Sequence, residues 1–206
     1  MRRRIIINYV IKNLEDIADI SKGYHLPSSN IQNSKEANTL KILSLSDLKK
    51  MNEGKVFSYR CVPFEPKYNK DLQYIHKHDI VLSAITSYDS GFQVLYINVE
   101  PKEELCYNGT VLLIKAKRNL IDSRYLYIQL KSKQIQNRLL ELAKGNKIVS
   151  ISKKDLLKLE IPIYDKNIMK DMCQKYEKIQ KKQIKTRKEF ELANKEELEF
   201  LEQLNK

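Results

Sequence analysis

Three short segments combine a cation with side chains able to hydrogen-bond a base edge. Lys22, Tyr24, His25, Ser28, Ser29 and Asn30 form the first, and Thr86, Ser87, Tyr88 and Asp89 form the second, just beyond the apolar run Ile80–Leu82. Lys144, Asn146 and Lys147, flanking Gly145, form the third. Lysine suits phosphate oxygens, whereas Asn, Ser and Tyr can address base edges, so the chemistry expected is recognition of nucleic acid. Taken singly, each segment also has the composition of an ordinary solvated loop.

Bond-breaking chemistry finds less support. His25, His76 and His78 make no HExxH pattern, and the pair around Lys77 reads as a surface turn before a strand, so no metal site is expected. Lys22-Gly23 and Lys144-Gly145 lack the spacing of a phosphate-cradling glycine loop. A magnesium nuclease needs clustered carboxylates, and Asp79 is the nearest candidate, with Glu65 and Lys67 read as turn surface. Ser83 and Ser87 have no GxSxG setting and are expected to serve as hydrogen-bonding hydroxyls. No catalytic residue is assigned.

Composition agrees with a polyanionic partner. The 206 residues carry 38 Lys and Arg against 26 Asp and Glu, a net charge of +12. The excess is not confined to one end, because residues 1–165 hold 27 basic and 18 acidic side chains. An apolar fraction of 42% can fill one core, and the length suits one domain with an appendage. Cys61, Cys106 and Cys173 are too few and scattered for a disulfide scaffold, which fits a reducing cytoplasm. The apolar run after Met1–Arg4 ends at Asn8 without a cleavage site, and no segment is long enough to span a bilayer. A cytoplasmic location is expected.

The elements that must hold these segments are mixed. Ile5–Ile11 reads as a strand, followed by Asn13 as a cap and a short helix through Ile20 that Gly23 ends. Residues 21–39 are polar and turn-rich, a loop of the length that often carries function. Strands are expected at Ile42–Leu45, Val56–Phe64, Ile80–Ser83, Phe92–Val99 and Thr110–Ile114, with turns at Pro101–Glu104 and Asn108-Gly109. Ile80, Val81 and Leu82 run without a polar break, which predicts a strand covered on both faces. Ser123–Leu142 reads as one amphipathic helix closed by Gly145, and Ser152 with Asp155 predicts the start of another. Ile161-Pro162-Ile163 is extended.

Beyond Pro162 the pattern changes. Met172, Tyr176, Ile179, Gln183, Thr186, Phe190, Ala193, Glu197, Phe200 and Leu204 alternate in steps of four and three, a coiled-coil seam. Charge is segregated along it: residues 166–188 hold nine bases and two acids, and residues 189–206 hold two bases and six acids. That order opposes the helix dipole in an isolated helix, but an antiparallel copy would set each basic half against an acidic half. Met172, Tyr176, Ile179, Phe190, Ala193, Phe200 and Leu204 are the apolar seam residues expected to hold a dimer. The bland reading is a single helix folded back on its own domain.

Several segments in order resemble the target recognition domain of type I restriction-modification specificity subunits. They are Leu14–Ile20 with Ser21-Lys22-Gly23, Asp79–Ser83, Ile121–Tyr127, Gly145–Ser152 with Lys153–Leu156, and Ile161–Ile163. The resemblance implies a non-catalytic DNA-reading subunit that fixes sequence specificity for partner methyltransferase and endonuclease subunits. It implies that this chain itself binds no cofactor, and that the partner methyltransferase uses S-adenosylmethionine. The familiar member carries two recognition domains and long antiparallel helices, so this chain looks like half of one. Two copies would then read a bipartite, inverted-repeat site. Two departures are visible: His78 stands where such sequences often have glycine, and Ile163–Ile168 replaces a usual Pro-Leu-x-x-Gln opening of the long helix.

The fold class expected is α+β: a β-rich recognition domain with peripheral helices over residues 1–163, then a long coiled-coil helix over 164–206. The competing functions are a nuclease or modification enzyme with an unrecognised site, and a non-catalytic assembly protein whose basicity is incidental.

Overall fold

Ile80, Val81, Leu82 and Ser83 are all buried and form the central strand of the largest sheet, as their unbroken apolar run requires. The computed structural model describes residues 8–23, 39–52, 60–63 and 72–204. The chain divides into two units, Met1–Ile163 and Tyr164–Lys206.

The first unit begins with β1 (Tyr9–Asn13), a single helical turn α1 (Leu14–Ile17) and β2 (Ala18–Lys22). There follow β3 (Thr39–Leu43), α2 (Leu45–Asn52), β4 (Arg60–Pro63), β5 (Ile80–Ser83), β6 (Ile85–Ser87), β7 (Val94–Tyr96), β8 (Leu105–Tyr107) and β9 (Val111–Ala116). The unit closes with α3 (Ser123–Lys131), α4 (Lys133–Leu142), β10 (Lys144–Gly145), β11 (Ile148–Ser150), α5 (Lys153–Leu157) and β12 (Glu160–Tyr164). Among the described residues four small sheets result, ordered β2-β9-β5-β7, β4-β3-β8, β10-β11-β6 and β1-β12. All three pairings of the first are antiparallel, and β3 with β8 is parallel.

The core lies between the first two sheets. Leu43, Leu48, Ile75, Val81, Ile97, Leu105, Tyr107, Val111 and Leu113 form one buried cluster. Burying each large aliphatic side chain contributes about 1.5–3 kcal/mol. Tyr107 brings a polar tip with it: its hydroxyl donates to Gln73 Oε1 at 3.2 Å and sits 2.6 Å from Ser21 Oγ, tying β8 to β2. On the other side, Tyr125, Leu126 and Leu130 of α3 and Ile135 and Leu139 of α4 are buried. The Tyr125 hydroxyl donates to the Pro162 carbonyl at 2.6 Å, fastening α3 to β12.

Three sequence expectations need correction. The helix expected through Ile20 ends at Ile17, because Ala18 and Ile20 are alternate inward positions of β2, whose five residues pair with β9. Leu14, Ile17 and Ala18 satisfy a helical period, but the next residues satisfy a period of two. The helix expected over Ser123–Leu142 is two helices. Ser132 is extended (φ −65°, ψ 144°) between them and its hydroxyl accepts from the Ile135 amide at 3.3 Å, capping the second. Finally, β8 falls between the turns expected at Pro101–Glu104 and Asn108-Gly109, where no strand is expected, and the sheet β10-β11-β6 includes Thr86, Ser87 and Lys144, which are read as loop residues.

The aspartates that open or close elements behave as capping residues. Asp155 accepts from Ser152 Oγ at 2.7 Å while Ser152 Oγ accepts from the Asp155 amide at 3.1 Å. Asp79 accepts the His76 amide at 2.8 Å and thereby closes the turn before β5. Within that turn His78 has φ +75°, the left-handed region glycine favours, and it occupies the place where the resemblance expects glycine.

The second unit is α6, a helix of 39 residues over Lys166–Leu204. Asp165 accepts from the Asn167 amide at 2.9 Å at its start. Ile179, Phe190, Phe200 and Leu204 are each more than half exposed, as are Ile184, Leu192 and Leu198. Among the described residues, no helix is long and apolar enough to cross a membrane.

Candidate nucleic-acid interface

Beyond Ser83, where β5 ends, the chain passes directly into another sheet as β6. Ser83 is fully buried, its amide donating to Gln93 O and its hydroxyl accepting from the Gln93 amide, both at 2.9 Å. Its hydroxyl is therefore a structural acceptor. Ala84 then donates to Thr110 O at 2.8 Å and accepts from Ile151 at 2.9 Å, which hands the chain over to β6. From there β6 pairs with β11, and β11 with β10.

This small sheet brings together two segments that are far apart in sequence. Ile148 pairs with Ser87, Val149 with Thr86, and Ser150 with Ile85, while Lys144 pairs with Ser150 and Gly145 with Val149. Because successive side chains alternate across a sheet, Ser87, Ile148, Ser150 and Lys144 share its outer face, and Thr86 and Val149 point inward. Asn146 and Lys147 are exposed at the hairpin tip, and Tyr88 is 61% exposed in the adjoining turn. The second and third candidate segments thus form one surface.

That surface is held from beneath. Thr86 is 7% exposed, and its hydroxyl donates to Gly91 O at 2.6 Å, so it braces the 87–91 turn and does not face solvent. Across the turn, Ser90 donates to Ser87 O at 3.1 Å and the two hydroxyls lie 2.6 Å apart. Gln136 of α4 reaches underneath: Oε1 accepts the Phe92 amide at 2.8 Å and Nε2 donates to Leu130 O at 2.7 Å. Gly145 has φ +128°, and a Cβ there would lie 2.2 Å from Ile148 O, so the hairpin requires glycine.

Lys22 is exposed at the last position of β2, paired with Leu112, which on its other side pairs with Leu82. It therefore lies at the end of the large sheet from which β6 departs. Gly23 follows with its amide on Val111 O at 3.1 Å, and a Cβ would fall 2.0 Å from Asn108 O. Tyr24, His25, Ser28 and Asn30 lie outside the described residues. So the structure unites Ser87, Tyr88, Lys144, Asn146 and Lys147, places Lys22 at the same sheet end, and buries Thr86. Sequence reading missed Ile148 and Ser150. The folded strand alternates at Ile148-Val149-Ser150-Ile151, exposed, buried, exposed, buried, whereas the residue types Ile-Val-Ser-Ile do not alternate and so carry no signal for Ile148.

Electrostatically the surface carries Lys144 and Lys147, with Asp89 in the turn. Nearby, the Ser152 hydroxyl foremost, then Lys144, Lys158 and Lys154, hold the Asp155 carboxyl below its usual range. At the opposite end of β5, burial pushes Asp79 upward against the pull of the His76 amide and Lys115, whose Nζ is 3.8 Å away. Burial and then Arg118, Lys77 and Arg124 lower the His78 imidazole, whose Nδ1 is 2.6 Å from the Tyr96 hydroxyl. His76 meets Glu100 at 2.9 Å. Each of these groups already serves a turn or a pair, and no group of three or more metal-ligating side chains occurs among the described residues.

The fold is shared with solved structures. The type-I restriction-modification system S subunit from M. genitalium aligns with a TM-score of 0.52 at 21% identity, covering 85% of this chain and 40% of that one. The HsdS subunit from Thermoanaerobacter tengcongensis aligns at 0.57 and 15% identity, covering 88% and 40%. A chain of a type I R-M system solved for its complex assembly and conformational transition aligns at 0.54 and 17%, covering 88% and 41%. This chain thus spans about two fifths of the length of the structures it matches. No curated protein sequence matches significantly. With the family described as "Type I restriction modification DNA specificity domain" matched along residues 7–203, almost from end to end, the chain belongs to that family.

Proposed function

We propose that this chain is a non-catalytic DNA-specificity subunit whose two copies read a bipartite, inverted-repeat duplex and direct partner methyltransferase and endonuclease subunits to it. The observation that carries the reading is the joining of Ser87–Tyr88 to the Lys144–Ile148 hairpin on one exposed surface. Lys22, Lys144 and Lys147 meet phosphates, and Ser87, Tyr88, Asn146 and the loop residues Tyr24, His25, Ser28 and Asn30 address base edges. Thr86 positions the turn from which Tyr88 projects. Modification chemistry belongs to the methyltransferase partner with its S-adenosylmethionine, and the complex works in the cytoplasm.

Residues 1–163 serve as the recognition domain and 164–206 as the dimerisation helix. Charge along α6 changes sign between Lys188 and Glu189, and the seam closes on a second antiparallel copy about that same point. In that register Met172 lies opposite Leu204, Tyr176 opposite Phe200, Ile179 opposite Glu197, Ala193 opposite Gln183 and Phe190 opposite Thr186. A helix of this length spans about 60 Å, which separates the two readers by a spacer. Support comes from the exposed apolar seam residues of α6.

Sedimentation of the purified chain tests this, alone and with duplex DNA. Two copies per particle, and two copies per duplex, are expected. A single-chain mass that persists at high concentration contradicts it.

A further inference from the structure

We infer that Ile148 is a specificity-determining residue that packs on the C5-methyl group of a thymine in the major groove. The inference deepens the DNA-reading function proposed above and rests on it. Ile148 is 70% exposed, whereas its neighbours in the alternation, Val149 and Ile151, are 2% and 3% exposed. Among the described residues this β-branched side chain, held outward on a short strand, is left largely uncovered.

Its surroundings state what would cover it. Ser87 stands opposite on β6, Ser150 is the next outward residue on β11 with half-buried Ile85 opposite it, and Lys144 faces Ser150 from β10. Lys147 precedes it at the exposed tip. A small exposed apolar spot bordered by the Ser87 and Ser150 hydroxyls and by two lysines, with only half-buried Ile85 as apolar neighbour on that face, is a poor match for a protein's apolar interface and a good one for a duplex groove, where phosphates border polar base edges. Ile148 directly follows the exposed Asn146-Lys147 tip of the β10-β11 hairpin, the two-stranded end of the three-stranded sheet, and the major groove admits such an end; the thymine methyl is the apolar group displayed there. The minor groove offers no such group. Gly145, with φ +128°, and Thr86, bonded to Gly91 O, fix the height of the hairpin and turn on either side of Ile148.

The test uses the purified full chain and the duplex it selects from a random pool. Each thymine is replaced singly by 2′-deoxyuridine, which removes the methyl and leaves pairing intact, and binding is measured for the native chain and for Ile148→Ala. At one thymine of a half-site the native chain is expected to lose about four-fold in affinity, the worth of one buried methyl group. Ile148→Ala is expected to bind the thymine and uracil duplexes alike, with its far-UV circular dichroism unchanged because the side chain is exposed. Indifference of the native chain to every replacement overturns the inference while leaving the DNA-reading function intact. So does a loss that persists undiminished in Ile148→Ala, which assigns the methyl to another residue. A chain that selects no sequence at all removes the function and the inference together. If Ile148→Ala leaves DNA binding untouched but abolishes association with a partner subunit, the spot is a protein contact and the inference fails.

Discussion

Ile148 and Ser87 face each other across neighbouring strands of the small sheet β10-β11-β6, so a hairpin late in the recognition domain and a turn near its middle become one surface. The pairing explains why neither segment reads as more than a solvated loop by itself. The consequences for binding divide by chemistry.

Lysines that meet phosphate should act without regard to sequence. Lys147→Ala and Lys22→Ala are each expected to weaken binding to cognate and random duplexes equally and to lower the salt slope by about 1. Titrations at several salt concentrations check this. A loss confined to cognate DNA would place these side chains on bases instead.

Gly145 should matter through the hairpin it shapes. Gly145→Ala sets a Cβ 2.2 Å from Ile148 O at φ +128°, so it is expected to destabilise the domain by more than about 1 kcal/mol and to remove discrimination between cognate and random DNA. Denaturant unfolding and paired binding assays measure the two effects. Unchanged discrimination would detach the hairpin from reading.

The bond from Tyr125 to Pro162 should show in stability alone. Tyr125→Phe leaves a buried carbonyl without its donor and is expected to cost about 1–3 kcal/mol, with sequence preference intact in the fraction that remains folded. Chemical denaturation followed by far-UV circular dichroism reports it.

Cys106 offers a pH-dependent check on the core. Burial, with Glu104 secondary, pushes its thiol from the ordinary 9.0 up to about 11. The folded state therefore holds its proton where the unfolded state releases it, and this group's contribution to stability is full below pH 9 and falls as pH rises toward about 11. At pH 8 the native chain should resist iodoacetamide at Cys106, as read by peptide mass mapping, and become reactive on unfolding.

The sequence is most informative where one residue type excludes alternatives. Ile80-Val81-Leu82 could be little other than a strand buried on both faces, Ser152 with Asp155 marks a helix start, and α6 follows from a four-three spacing with no Gly or Pro in it, although Gln183, Thr186 and Glu197 interrupt its apolar seam. It is least informative where a contact distant in the chain decides. Ala18 and Ile20 are strand residues because β9 is there to pair with them, and Leu105–Tyr107 is a strand because β3 lies alongside in parallel. The same holds for the interface: the polar segments were visible, but the outward place of Ile148 and the inward place of Thr86 depend on a register no local pattern contains.

The central claim is sequence-specific reading by two symmetry-related copies, and selection of bound duplexes from a random pool by the purified chain tests it most directly. The expected product is a pair of inverted short motifs separated by a spacer of constant length and no preferred sequence. Recovery of random sequence, or of one unrepeated motif, would contradict it.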